Sequence, residues 1–139
     1  MKISKKGRYA LEAVVDLAIN STSSLESLKN IAQRQNITVK YLEQIFYILK
    51  QKGLIRGKRG INGGYCLSKS MSEITAGEIV RAVEGDLAPV YCALDGDCDR
   101  YDGCLTRKLW RQIMFEMNDV LDKITIKELV YKTDELKLN

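Results

Sequence analysis

Residues 92–104 read CALDGDCDRYDGC, with Cys92, Cys98 and Cys104 each separated by five residues among aspartates and glycines. They are three of the chain's four cysteines, and the chain has no histidine. Thiolates at such density suit a soft metal or redox chemistry. Structural zinc calls for paired C-x(2–4)-C spacing and four Cys or His ligands, and this stretch has neither. Asp95, Asp97, Asp99 and Asp102 superficially match a calcium loop, but Arg100 occupies the position that requires glycine and Thr106 the one that requires glutamate, so calcium is excluded. An iron–sulfur cluster accepts thiolates at varied spacing in glycine-bearing loops. A thiol-based redox switch uses the same residues, and composition alone does not separate the two. The fourth cysteine, Cys66, is expected to be a small core residue.

The frame around these thiols is a single domain by length, 45% hydrophobic, with one proline, Pro89. No apolar run is long enough to span a bilayer. The basic-then-apolar start MKISKKGRYALEAVVDLA is interrupted by Glu12 and Asp16, and no small-residue cleavage site follows, so a cytoplasmic protein is expected. Cysteines in that setting argue against a disulfide framework. Charge is divided along the chain. Residues 1–70 hold 13 Lys or Arg against 4 Asp or Glu, a balance of +9; residues 71–139 hold 9 against 14, a balance of −5. A basic half of this kind points to a polyanionic partner.

Apolar periodicity places a first helix over about 4–19, with Leu11, Val14, Val15 and Ala18 on one face. Ser27 caps a short helix, LKNIAQRQ, with Leu28, Ile31 and Ala32 inward. Asn36 and Ile37 form a turn, and Thr38 caps VKYLEQIFYILKQK with Val39, Leu42, Ile45, Phe46 and Leu49 inward and Gly53 beyond its end. Two helices joined by so short a turn make a helix-turn-helix. LIRGKRGINGGYCL then reads as a β-hairpin wing with a basic, glycine-rich tip. Thr75 and Glu78 form a capping box before a helix ending at Gly85. The cysteine loop follows, and from about residue 105 a long helix carries an apolar stripe of Leu109, Ile113, Met117, Val120, Leu121 and Ile124. Such a helix is ~30 Å long, a large surface for one small domain to cover, so the stripe is expected to form a homodimer. Thr125 and Glu128 make a second capping box before a last short helix. The expected fold is mainly α: a winged helix-turn-helix DNA-binding domain (1–85), a cysteine loop (86–104), and a dimerisation helix with a C-terminal helix (105–139).

In a helix-turn-helix the second helix enters the major groove by its N-terminal residues. Here these are Thr38, Lys40, Tyr41, Glu43 and Gln44. Lys40 can contact phosphate or guanine, Gln44 can read adenine, and Glu43 can accept from cytosine N4. A carboxylate facing a polyanion is costly unless such a cytosine is present, so Glu43 is expected to discriminate between sequences. In the wing, Arg56, Lys58 and Arg59 supply charge, and Gly63 and Gly64 permit close approach to double-stranded DNA.

MKISKKGRYALEAVVDLA, YLEQIFYILKQKGLI, RGINGGY, ITAGEIVRAVEG, CLTRKLWRQI and ITIKELV resemble, in order and spacing, the bacterial iron–sulfur cluster regulators called IscR and their relatives. The resemblance covers nearly the whole chain. It implies a homodimeric winged-helix transcription factor on a palindromic operator, with Arg59 in the minor groove and Tyr41, Glu43 and Gln44 facing the major groove. It further implies that the glutamate at position 43 makes operator choice depend on the cluster, and that Cys92, Cys98 and Cys104 ligate a 2Fe–2S cluster. The family pattern places a histidine three residues after the last cysteine, where this chain has Arg107, a protonated guanidinium with no lone pair to offer. Some nitric-oxide-sensing relatives use an aspartate near the start of the first helix, and the nearby position here is Arg8. A loop aspartate, Cys66, a water, a small thiol or a residue of a second subunit are the candidates that remain for the fourth ligand, and a 4Fe–4S cluster stays open.

The expected function is therefore a transcription regulator whose operator binding responds to an iron–sulfur cluster, through iron–sulfur supply, oxidants or nitric oxide. The alternative is a cluster-free regulator of cysteine metabolism or a thiol switch. An enzyme acting on a small-molecule substrate is not expected, since there is no histidine, nucleophile elbow or phosphate loop.

Overall fold

The computed structural model describes residues 2–95, 100 and 102–131, leaving the side chain of Asp95 aside. Its elements in chain order are α1 (Lys5–Asn20), α2 (Leu28–Gln35), α3 (Val39–Gln51), β1 (Ile55–Lys58), β2 (Gly64–Leu67), α4 (Ala76–Glu84), α5 (Cys92–Asp95), α6 (Arg107–Lys123) and α7 (Ile126–Tyr131). Local chemistry sets the boundaries. Ser4, Ser27, Thr38 and Thr75 each accept a hydrogen bond from a backbone N–H in the first turn of the helix they precede, and Glu78 returns the bond to complete the box at Thr75. Asn36 takes the left-handed conformation (φ 55°) that turns the chain from α2 into α3. Among the described residues, no helix is long and apolar enough to cross a membrane.

One core unites these elements. Val14 and Leu17 of α1, Ile31 of α2, and Leu42, Ile45, Phe46 and Leu49 of α3 are fully buried, together with Ile55, Ile74, Ile79 and Ile126. Each contributes about 1.5–3 kcal/mol by leaving water. Ile126 brings α7 into the same core as the helix-turn-helix. Backbone bonds fix its place: Ala76 N–H donates to Ile124 O at 2.8 Å, and Ile126 N–H donates to Ile74 O at 2.9 Å.

The sequence-based expectations need four adjustments. The buried line of α1 runs through Gly7, Ala10, Val14 and Leu17, and Leu11 and Val15 lie only half-buried at its edge. Val39, first residue of α3, is exposed, because its end of the helix extends past the core. Cys66 is half-buried and is not a core residue. The hairpin register explains this: Ile55 pairs with Leu67 and Gly57 with Tyr65, so Ile55, Tyr65 and Leu67 take the packed face. Cys66, paired with Arg56, takes the other face. Finally, the cysteine loop contains a helical turn, α5, and the long helix begins at Arg107.

The wing tip is shaped by two glycines. A Cβ on Gly63 would sit 2.1 Å from the carbonyl oxygen of Lys58, and Gly64 has φ +151° with Glu26 O 2.5 Å from where its Cβ would be. That closeness lets Glu26 form an isolated antiparallel bridge to β2: Tyr65 N–H donates to Glu26 O at 2.7 Å, and Glu26 N–H donates to Tyr65 O at 3.0 Å.

A polar network ties this bridge to the helices. Asp16, on α1 and only 7% exposed, accepts from Arg34 Nε and Nη2, from Gln35 Nε2 and from Asn20 Nδ2. Arg34 Nη2 also donates to Glu26 Oε2 at 2.8 Å. Burial pushes the Glu26 carboxyl up, but hydrogen bonds from Asn30, Arg34 and the Ser27 amide outweigh this and hold it below the usual carboxylate value. Its contribution to stability is thus present at neutral pH and is lost as the pH falls through the carboxylate range. Arg34→Ala leaves the Asp16 charge buried without its main partner. It is expected to lower unfolding free energy by about 2–3 kcal/mol in urea titrations. A loss below about 0.5 kcal/mol, typical of ordinary surface changes, would deny the network a structural role.

Candidate nucleic-acid interface and cysteine site

Thr38 fixes the start of α3 by accepting from Tyr41 N–H at 3.1 Å, which presents the first turns of that helix outward. Lys40, Glu43, Gln44 and Tyr47 are exposed on it. Together with Ile48 and Lys6 from α1 they line one shallow depression. A second cleft runs between α3 and the wing, bounded by Glu43, Tyr47, Lys50, Lys58, Arg59, Gly63 and Gly64. Glu43 and Tyr47 form the wall common to both. The fold thus joins Lys40, Glu43 and Gln44 to Lys58, Arg59 and the wing glycines in one continuous surface, the arrangement in which a winged helix-turn-helix presents its second helix and its wing.

Three expected contact residues sit differently. Tyr41 is half-buried and packs edge-on against Tyr9, with ring centroids 5.9 Å apart, so its ring belongs largely to the fold. Thr38 spends its hydroxyl on the cap. Arg56 donates through Nη2 to Ser68 O at 2.8 Å, bracing the base of the wing rather than its tip. Sequence reasoning overlooked Lys6 and Lys50. The basic run at the start of the chain was visible as a signal for Lys6; nothing local marked Lys50, which only folding brings to the cleft. Ile61, at the apex of the wing, is fully exposed.

In the cysteine segment, α5 packs against α6, bringing the two ends of the segment together. Cys92 opens α5, Ala93 beside it is buried, and Cys104 lies just before α6; both thiols are half-buried and unpaired. The Thr106 hydroxyl, aided by the backbone at Thr106 and Arg107 and by the Arg100 charge, holds the Cys104 thiol below its usual pKa. That favours the thiolate, the form that binds iron. Two thiols on adjoining elements are of the donor type that iron–sulfur groups use. Among the described residues no three metal-binding side chains converge. Cys98, Asp97 and Asp99 lie outside the described residues. Where the family pattern expects a histidine, Arg107 acts on Cys104 through its backbone.

The segment is wired into the rest of the chain. Asn118 of α6 donates to Leu87 O at 3.0 Å and accepts from Arg81 Nη1 of α4 at 2.9 Å, and Arg81 also pairs with Asp122. Although apolar along much of its length, α6 has no buried residue. By helical periodicity Leu109, Ile113 and Val120 lie on the side away from Asn118; Leu109 is 51% and Val120 49% exposed. Ile113, Met117, Leu121 and Ile124 are half-buried. Met117 is turned toward its own chain, where it lines a small cavity with Ile3, Leu87 and Ala88.

Residues 3–132 match the family described as Rrf2, iron-dependent transcriptional regulator. The HTH-type transcriptional regulator IscR of Cronobacter sakazakii is 39% identical over 139 residues, covering 100% of this chain and 86% of that protein. Among solved structures, T. potens IscR superposes with a TM-score of 0.78 at 32% identity, covering 100% of this chain and 93% of that one. CymR, the global cysteine regulator of B. subtilis, superposes equally well, at 0.78 and 38% identity over 94% of this chain and 96% of that one. With a family match across nearly its whole length and a full-length relative at this identity, the chain belongs to the Rrf2 family of iron-dependent transcriptional regulators.

Proposed function

We propose that this transcriptional regulator binds a palindromic operator in double-stranded DNA as a homodimer in the cytoplasm. We also propose that its operator affinity depends on an iron–sulfur cluster held by Cys92, Cys98 and Cys104, and that it catalyses no reaction. The observation that carries the reading is the position of the thiols. They lie on the connection between α4, which is packed into the DNA-binding core, and α6, whose outer face is uncovered.

When bound, the cluster supplies a redox-active group sensitive to iron supply, oxidants and nitric oxide. The chain's residues do the rest. Cys92 and Cys104 draw α5 and the start of α6 together, and the Asn118–Leu87 bond passes the position of that segment to Arg81 and α4. A shift of α6 against α4 changes the spacing of the two recognition helices in the dimer, and so the balance between DNA-competent and incompetent states. A regulator of cysteine metabolism, with no cluster, is the second reading, and the likeness to CymR, a global cysteine regulator, favours the cysteine-metabolism role.

At the interface, Arg59→Ala is expected to weaken binding to all operators and to flatten the salt dependence by about one ion. Glu43→Ala should tighten binding to mismatched sites and so narrow the cognate-to-random ratio, read by fluorescence anisotropy; an unchanged ratio would remove Glu43 from base readout. Leu109→Asp combined with Val120→Asp should yield a folded monomer by sedimentation, with operator affinity reduced at least tenfold; a dimer that persists would place the interface elsewhere. Anaerobically purified protein should contain iron and acid-labile sulfide in equal amounts, two or four of each per chain, and Cys98→Ala should lose both. Protein that stays colourless after anaerobic reconstitution would establish the cluster-free reading instead.

A further inference from the structure

Thr106 occupies the N-cap position of α6 but does not cap it. Its backbone has φ −103° and ψ −2°, and its side chain makes no capping bond, whereas Ser4, Ser27, Thr38 and Thr75 all use their hydroxyls for that purpose. A threonine withheld from the role its position favours is usually committed elsewhere. Here its Oγ1 accepts from the indole Nε1–H of Trp110, one turn along α6, at 3.1 Å, and lies 3.5 Å from Sγ of Cys104. An indole nitrogen only donates, and a threonine hydroxyl has one proton. With Trp110 filling an acceptor site on Oγ1, that proton is free to point at the sulfur.

We propose that Thr106 is a positioning residue for Cys104, its hydroxyl oriented by the Trp110 indole so that it donates a hydrogen bond to the ligand sulfur. The relay rests on the reading of Cys104 as a cluster ligand. Donors to ligand sulfurs fix the side chain and withdraw charge from the metal group, which stabilises its reduced form. Trp110 is the only tryptophan of the chain, so tryptophan emission reports on the surroundings of this one indole.

The test compares wild type with Thr106→Val, Thr106→Ser and Trp110→Phe in the full chain. In metal-free protein, Thr106→Val should shift the Trp110 emission, and Thr106→Ser should leave it as in wild type; identical emission in Thr106→Val and wild type overturns the relay. In anaerobically reconstituted protein of matched iron and sulfide content, Thr106→Val should lose its visible absorption to a chelator on the order of tenfold faster and have a lower midpoint potential. Thr106→Ser should restore both, and Trp110→Phe should fall between. Wild-type rate and potential in Thr106→Val would likewise overturn the proposal. If wild type itself takes up no iron, the cluster reading fails, and the emission comparison still decides whether Thr106 is held by Trp110.

Discussion

A charged carboxylate in a protein interior must be matched or it destabilises everything around it, and the fold is organised about one such group. Asp16 sits on α1, nearly excluded from water, and Arg34, Gln35 and Asn20 converge on its carboxylate oxygens. The two residues from α2 tie it to α1, beside the core that α1, α2 and α3 share. Arg34 reaches on to Glu26, whose backbone pairs with Tyr65 in the wing. The recognition helix and the wing are thus linked through this guanidinium as well as directly, by the edge-on packing of Phe46 against Tyr65 and by the Leu54 N–H bond to Leu49 O. A DNA-reading surface requires that rigidity, since its two parts must meet adjacent grooves at a fixed separation.

The second constraint is topological. The chain leaves the DNA-binding core after α4, passes through the cysteines, runs the length of α6 and returns to the same core through Ile126. The cysteine segment is consequently a span within a closed circuit rather than an appendage. Arg81, Asn118 and Asp122 join α4 directly to α6 as well, so the two helices flanking the segment are also held to each other. On the proposed function, this arrangement is what would carry a small change near Cys92 and Cys104 to the surface formed by α3 and the wing.

Much of this was legible in the sequence because capping residues and apolar spacing act locally. Ser27, Thr38, Thr75 and Gly85 marked helix ends that the structure keeps. Misplacements arose where tertiary geometry overrode a local rule. Spacing alone put Leu11 and Val15 at the centre of the α1 face, but the bundle closes on smaller residues, Ala10 and Ala13, which allow close helix approach. Strand alternation could have placed Cys66 on the outer face, had the partner of Ile55 been known. Of the candidate site, Lys40, Glu43, Gln44, Lys58 and Arg59 were legible from charge and motif. The double duty of Tyr41 as packing residue and the diversion of Arg56 to Ser68 were not, since both depend on residues distant in the chain. The roles of Thr106 and Asn118 were likewise hidden, because a hydrogen bond to a thiol or a loop carbonyl leaves no periodic trace.

The wing tip divides its residues by consequence. Gly63 and Gly64 are locked by carbonyl groups that would collide with any side chain, while Ile61 between them and the basic strand touches nothing. The frame of the tip is thus closed to sequence change and its apex is open. Descendants of this chain can exchange the apex residue, and with it the shape offered to a narrow groove, without disturbing folding or the thiols. If the proposed function holds, operator preference and signal response are free in this way to drift apart over evolutionary time, each under its own selection.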